Sequence, residues 1–202
     1  MEYKVLRKTN KKHITFNTLF YGGILVWVLT LFSSAIFDYI DIIWIKLLVL
    51  AELFFVMAIP LISFFKFNEY KTLKGELSSL LIFHPDGIQI DSKFHELDTI
   101  KKINLEHTSD YKGRFAPERG DFDGNLSNGV ANLLVLNLIN GTRISLHFQQ
   151  SKQDEIFQEK ENLIRYCNDG KLGLLSLLDI LRITDYNEIQ RFKKENISRL
   201  SN

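Results

Sequence analysis

Two long apolar stretches separated by four residues constrain this chain more than any other feature. Ile14 to Phe37 is 24 residues without an Asp, Glu, Lys or Arg. Asp38-Tyr39-Ile40-Asp41 interrupts the run, and Ile42 to Phe65 is another 24, in which only Lys46 and Glu52 are charged. Crossing a hydrocarbon core about 30 Å thick takes roughly 20 apolar residues in a helix. Each stretch is long enough and the link is only a reversal, so the sequence predicts a two-helix transmembrane hairpin over 14–66, with spans 14–37 and 42–65.

Charge sets the expected orientation. Residues 1 to 76 hold 9 Lys+Arg and 6 Asp+Glu, whereas residues 77 to 202 hold 16 and 18. Lys4, Arg7, Lys8, Lys11 and Lys12 precede the first span, Lys66, Lys71 and Lys74 follow the second, and the link carries two aspartates. By the positive-inside rule both termini are expected to be cytoplasmic and the link outside. The basic start followed by an apolar run is read as an uncleaved span, because the run exceeds a signal-peptide core and no small-x-small cleavage pattern follows. The slightly acidic remainder argues against a nucleic-acid module. The single cysteine, Cys167, excludes an internal disulfide and Cys-rich zinc sites.

Within the spans, Gly22, Gly23, Ser33, Ser34 and Ala35 allow close helix approach, to each other or to a second copy of the chain. Trp44 and Tyr39 suit the outer interface, and Trp27 reads as packing. Lys46 is placed to snorkel outward. Glu52 falls near mid-membrane, where an ionisable residue is costly and marks an intramembrane interaction site by default. A partner hydroxyl on the first span, such as Thr30, is the structural alternative. Pro60 is expected to kink the second span.

The connector 67–76 ends at Gly75-Glu76, with Gly75 read as a helix stop. The period then changes to two. Leu80–Phe83, Ile88–Asp91, Phe94–Leu97, Ile100–His107, Val130–Ile139 and Thr142–Phe148 read as strands. Pro85-Asp86-Gly87 and Asn140-Gly141 are turns. Residues 108–129, with five glycines or prolines and no period, read as a long loop. Ser151 is expected to cap a helix that Asp169-Gly170 ends. A tail over 169–202 carries a leucine-rich helix from 172 to 183 and a second helix opened by Asp185 and Glu188.

Leu81-Ile82-Phe83-His84-Pro85-Asp86-Gly87-Ile88-Gln89-Ile90, followed by Phe94 to Ile103, resembles the pattern of bacterial membrane-anchored pleckstrin-homology (PH) domains of the two-span type. The resemblance covers about 77–168 and implies a cytoplasmic PH-like β-sandwich or barrel capped by a helix. The whole chain is then an α+β membrane protein. Six strands are legible where that fold has seven, and the missing one is expected inside 108–129. The resemblance implies a binding fold with no catalytic site. The first hairpin lacks the basic cluster of phosphoinositide-binding members, which argues against that ligand.

No motif carries catalysis or a cofactor. The histidines have no ligand spacing, although His84, His95 and His147 lie on strands that could bring them together. Asp121-Phe122-Asp123-Gly124-Asn125 departs from a calcium loop because Gly comes too early. The expected function is that of a non-enzymatic, membrane-anchored binding or regulatory scaffold without cofactor or metal, of which an immunity-type protein is one specialised form. Its expected partners are the bilayer, other membrane or cytoplasmic proteins and a second copy. Candidate contact residues are Asp121, Phe122 and Asp123 in the loop and Leu174, Leu178 and Tyr186 in the tail. The alternative is an accessory subunit of a transport or channel complex that works through Glu52.

Overall fold

A computed structural model describes residues 1–9, 14–36, 43–66, 68–118 and 122–197. The strands, in chain order, are β1 (Glu2–Lys8), β2 (Gly75–His84), β3 (Gly87–Ile90), β4 (Lys93–Glu96), β5 (Ile100–Glu106), β6 (Lys112–Phe115), β7 (Leu126–Asn128), β8 (Asn132–Leu138) and β9 (Arg143–Phe148). The helices are α1 (Phe16–Ile36), α2 (Ile43–Phe65), α3 (Lys160–Asn168), α4 (Leu174–Ile180) and α5 (Tyr186–Asn196). The chain is α+β, with two apolar N-terminal helices and an antiparallel sheet. It divides into two compact units: Met1–Thr9 with Gly75–Arg114 and Ser127–Asn202, and Asn10–Lys74 with Phe115–Leu126.

The first unit is built on a seven-stranded sheet in the order β4-β3-β2-β1-β9-β8-β5. Its seventh strand is not inside 108–129, where β6 and β7 form a separate two-stranded pair. It is the N-terminal segment, expected as a basic flanking arm. Tyr3 and Val5 alternate with Glu2 and Lys4, and the alternation puts both apolar side chains into the core. β1 pairs antiparallel with β2 from Glu2↔Ile82 to Lys8↔Gly75. The two apolar helices are thus inserted between two strands that are neighbours in the sheet. Gly75 does not end a helix, since α2 stops at Phe65; it opens β2, where a Cβ would collide with the Arg7 carbonyl.

Tyr3, Phe83 and Phe148 meet edge to face at the centre, with centroids 5.4 to 6.5 Å apart. Around them Leu81, Ile88, Ile100, Ile103, Leu134 and Leu136 are fully buried. The capping helix starts later than Ser151. Asp154 is left-handed (φ 57°), and Glu155–Glu159 is a 3-10 turn leading into α3. Gln150 supplies the cap instead, its Oε1 accepting the Ile156 N–H at 2.8 Å. Tyr166 on α3 reaches the carbonyls of His84 (2.6 Å) and Gly87 (3.0 Å) and so fixes the helix on the β2–β3 turn.

The tail runs along the sheet edge. The Ile103 N–H on the outer strand β5 donates to the Lys171 carbonyl (2.8 Å), and Ile103 and Leu172 form a parallel bridge. Leu177, Leu178, Ile180, Phe192 and Ile197 are buried in the same core. Asp185 caps α5 as expected, accepting the Glu188 N–H at 2.9 Å.

In the second unit α1 and α2 run antiparallel. Lys66, just past α2, sits 4.0 Å over the ring of Phe16 at the start of α1. Gly23 faces Val56, whose nearest methyl would lie 3.1 Å from an added Cβ, whereas nothing stands within 4 Å of such an atom at Gly22. Helix α2 passes through Pro60 without a break in its assigned span. The link 38–41 and Tyr39 within it, Lys11 and Lys12, and Asp121 lie outside the described residues.

Candidate functional site

The helix pair holds one polar layer. Gly23, Trp27, Thr30 and Ser34 follow at intervals of four, three and four, which places them on one face of α1. Glu52 and Val56 lie on the facing side of α2. Thr30 Oγ1 donates to Glu52 Oε1 at 3.2 Å, the hydroxyl partner expected from sequence. The same oxygen is 3.1 Å from the Val26 carbonyl, so two acceptors compete for its single hydrogen. Glu52 Oε2 and Trp27 Nε1 are buried and have no hydrogen-bond partner among the described residues. Trp27 lies about one turn before Thr30 on the same face of α1. Two open grooves of about 400 and 280 Å³ flank the pair near Ser34 and Ile45. Beside Glu52, Lys46 is the other charged residue of the two helices, so no chain of titratable groups crosses the layer.

Of the loop candidates, Phe122 is engaged with α1. Its N–H donates to Asn17 Oδ1 at 2.7 Å, and its ring centroid is 4.4 Å from that of Phe20. Asp123 is half-buried beside it. The start and end of the expected loop, at Asp110 and Ser127, are held by buried polar groups. Asp110 Oδ2 accepts from Ser127 Oγ (2.8 Å) and the Ala131 N–H (2.9 Å). Gln150 Nε2 donates to Asn132 Oδ1 (2.7 Å) and to the Thr108 carbonyl (2.6 Å). A sequence reading has no means of knowing that these polar residues are interior.

Of the tail candidates, Leu178 is 5% exposed and belongs to the core, which corrects its reading as a contact residue. Leu174 is half-buried and packs on the same core. The inward face of α4 takes 174, 177, 178 and 180, leaving Leu175 outward and 82% exposed. Tyr186 is 70% exposed at the start of α5. The tail therefore presents Leu175 and Tyr186. Leu175 and Leu178 are three residues apart and neighbours on the helix surface, so the helical period does not separate them.

Among the described residues the histidines do not converge on a ligand set. His84 Nε2 lies 3.3 Å from Gln89 Oε1, and His95 is buried opposite Ile88. Burial, then the neighbouring Lys93 charge, holds the His95 imidazole below its usual pKa. No group of three His, Cys, Asp or Glu side chains able to hold a metal forms among the described residues. Asp91 sits where β3 turns into β4 and accepts the Leu80 N–H (3.0 Å) and the Arg7 guanidinium. These contacts, the backbone bond first, hold its carboxyl below the usual range. Lys101, at the register shift between Ile100 and Lys102, and Lys102, paired with Asn137, line a cleft of about 390 Å³ with Lys171 and Ile197.

No family model, no curated protein and no solved structure matches this chain.

Proposed function

We propose that the chain is a non-enzymatic binding or regulatory scaffold, anchored by the α1–α2 hairpin and presenting a PH-like domain at the cytoplasmic face of a bacterial inner membrane. The observation that carries this reading is the insertion of both apolar helices between paired strands. The chain leaves the sheet at Lys8 and rejoins it at Gly75, and these two residues are partners in one ladder. A hairpin of two spans inserted there must begin and end on the side of the membrane where the sheet folds. The helices are about 31 and 34 Å long at 1.5 Å per residue, enough for a hydrocarbon core. Their apolar windows are only 6% and 11% buried, unlike the core helix of a water-soluble domain. Lys4, Arg7 and Lys8 before the hairpin and Lys66, Lys71 and Lys74 after it favour the cytoplasm for that side. Seven strands in one antiparallel order and a helix after the last of them support the PH-like reading.

Reporter fusions test the topology. A fusion at the C-terminus is expected to be active only in the cytoplasm, and one inserted within 38–41 only outside. A C-terminal reporter active outside overturns the proposal.

The buried, unpartnered Oε2 of Glu52 favours one second reading, an accessory subunit of a transport complex. Purification in gentle detergent separates the two. The scaffold reading expects copurifying proteins to be lost with Leu175→Glu or Tyr186→Glu and kept with Glu52→Gln. The reverse pattern supports the transport reading.

A further inference from the structure

The aperiodic stretch after β6 looks in sequence like an extension of the sheet domain, yet Phe115–Leu126 groups with the two apolar helices. Its backbone is fastened to the connector that follows α2. The Leu126 N–H donates to the Glu69 carbonyl (3.0 Å), the Lys71 N–H donates to the Leu126 carbonyl (2.8 Å), and Tyr70 and Leu126 form a parallel bridge. The Ala116 N–H closes the loop on the Asn125 carbonyl at 2.8 Å. Gly124 lies so close to the connector that a Cβ would collide with the carbonyls of Glu69 and Tyr70.

The level of this loop on the helix pair is set by Phe122. Asn17 and Phe20, which hold its N–H and its ring, lie in the first two turns of α1. At 1.5 Å per residue Phe20 is about 6 Å from the start of the helix. Lys66 over the Phe16 ring marks the same end of α2. Phe64, Phe65 and Tyr70 stand exposed there. Two cations of this end have acidic partners: Lys66 pairs with Glu69 at 3.0 Å, and Lys71 pairs with Glu118. An aromatic girdle with matched charges suits the boundary between hydrocarbon and headgroups. Irregular backbone is tolerated near that depth only when its polar groups are bonded, as the connector bonds do here.

We infer that residues 115–118 and 122–126 form a membrane-interface loop, with the Phe122 ring seated at the top of the acyl chains, and that its partner is the lipid interface itself, engaged through aromatic surface and not through anionic headgroups. The inference rests on the reading of the hairpin as membrane-spanning.

Tryptophan quenching by brominated lipids tests both and keeps them apart. The full chain is reconstituted in phosphatidylcholine vesicles with bromines placed shallow or deep on the acyl chain. One version carries Trp27→Phe, Trp44→Phe and Phe122→Trp; the other carries only Trp44→Phe, leaving Trp27 as the reporter of the span. The indole at 122 is expected to be quenched about twofold more strongly by shallow than by deep bromines, as an interfacial aromatic is. Trp27 is expected to show the opposite order. A reporter at 122 that escapes quenching while Trp27 is quenched overturns the loop inference and leaves the span standing. An unquenched Trp27 overturns both. Tyr70→Trp in the same Trp-free background is the second reporter if Phe122→Trp does not fold, with the same expectation. Adding phosphatidylglycerol is expected to leave the profile unchanged, and quenching confined to anionic vesicles overturns the aromatic basis of the contact.

Discussion

The sheet body and the helix pair use the same apolar residue types in opposite ways. In the body Leu81, Ile88, Ile103 and Phe148 have no exposed surface. In the pair the apolar residues point outward; Phe54 is 77% exposed, and the buried apolar side chains are confined to the seam, Val56 and Ile59. Burying apolar area stabilises by about 25 cal/mol per Å², so the body supplies its own reason to fold in water. The pair leaves most of that area uncovered and requires a second solvent. The polar groups follow the same division. Asn132, Gln150 and Asp110 are interior and richly bonded in the body, while the polar layer of the pair is one Thr30–Glu52 contact with two unpartnered atoms beside it.

The largest expected effect is removal of β1. A chain starting at residue 77 loses Tyr3 and Val5 and exposes β2 and β9 as unpaired edges, so it is expected to aggregate. Residues 1–9 joined to 75–202 through a tight turn are expected to be soluble and strand-rich by circular dichroism, because Lys8 and Gly75 are already neighbours. Cooperative folding of the chain from 77 would break the assignment of β1 to the body.

Next is a matched pair of truncations. Phe148→Ala is expected to cost the body about 3–5 kcal/mol. Phe54→Ala should leave body stability within about 0.5 kcal/mol. Denaturant titration of the detergent-solubilised full chain, read by hydrogen exchange of the β8 amides, measures both. Equal losses would erase the contrast between the two regions.

Gln150→Ala strands the Ile156 N–H and Asn132 Oδ1, at a cost of about 1–3 kcal/mol by the same measurement. A smaller effect is expected from pH. The depressed pKa of His95 means the unfolded chain binds its proton first as pH falls. The His95 contribution is therefore full above about pH 6.5 and is lost as pH drops from there through the folded value. His95→Gln is expected to flatten that part of the stability–pH curve, and an unchanged slope would place the acid sensitivity elsewhere. The smallest effect belongs to the pair. Thr30→Val is expected to cost about 0.6 kcal/mol of helix–helix stability in a denaturing-detergent titration. A loss of several kcal/mol would show that the polar layer, and not the apolar seam, holds the hairpin.

The elements legible in sequence are those whose partners are local. The turns at Pro85-Asp86-Gly87 and Asn140-Gly141 join adjacent strands, and the Asp185–Glu188 cap lies within four residues. β1 is hidden in the sequence because its ladder partner follows a long insertion, and because its lysines and arginine also fit membrane-flanking charge although Tyr3 and Val5 carry the period of two. The Thr30 contact of Glu52 was legible because mid-span carboxyls have few candidate donors. The engagement of Phe122 with Asn17 and Phe20 was not, since nothing local connects residues a hundred positions apart.

Hydrophobic runs, their length and the charges around them determine on their own that the chain has two long apolar helices and a separate strand-rich region. Those properties are sums over consecutive residues, and no partner is needed to read them. Only the tertiary structure decided that residues 2–8 belong to the sheet, that Leu178 faces inward while Leu175 faces out, and that the loop with Phe122 groups with the helices. Each of these depends on which distant groups meet, and the free energy of burial and of satisfied hydrogen bonds is set by those meetings.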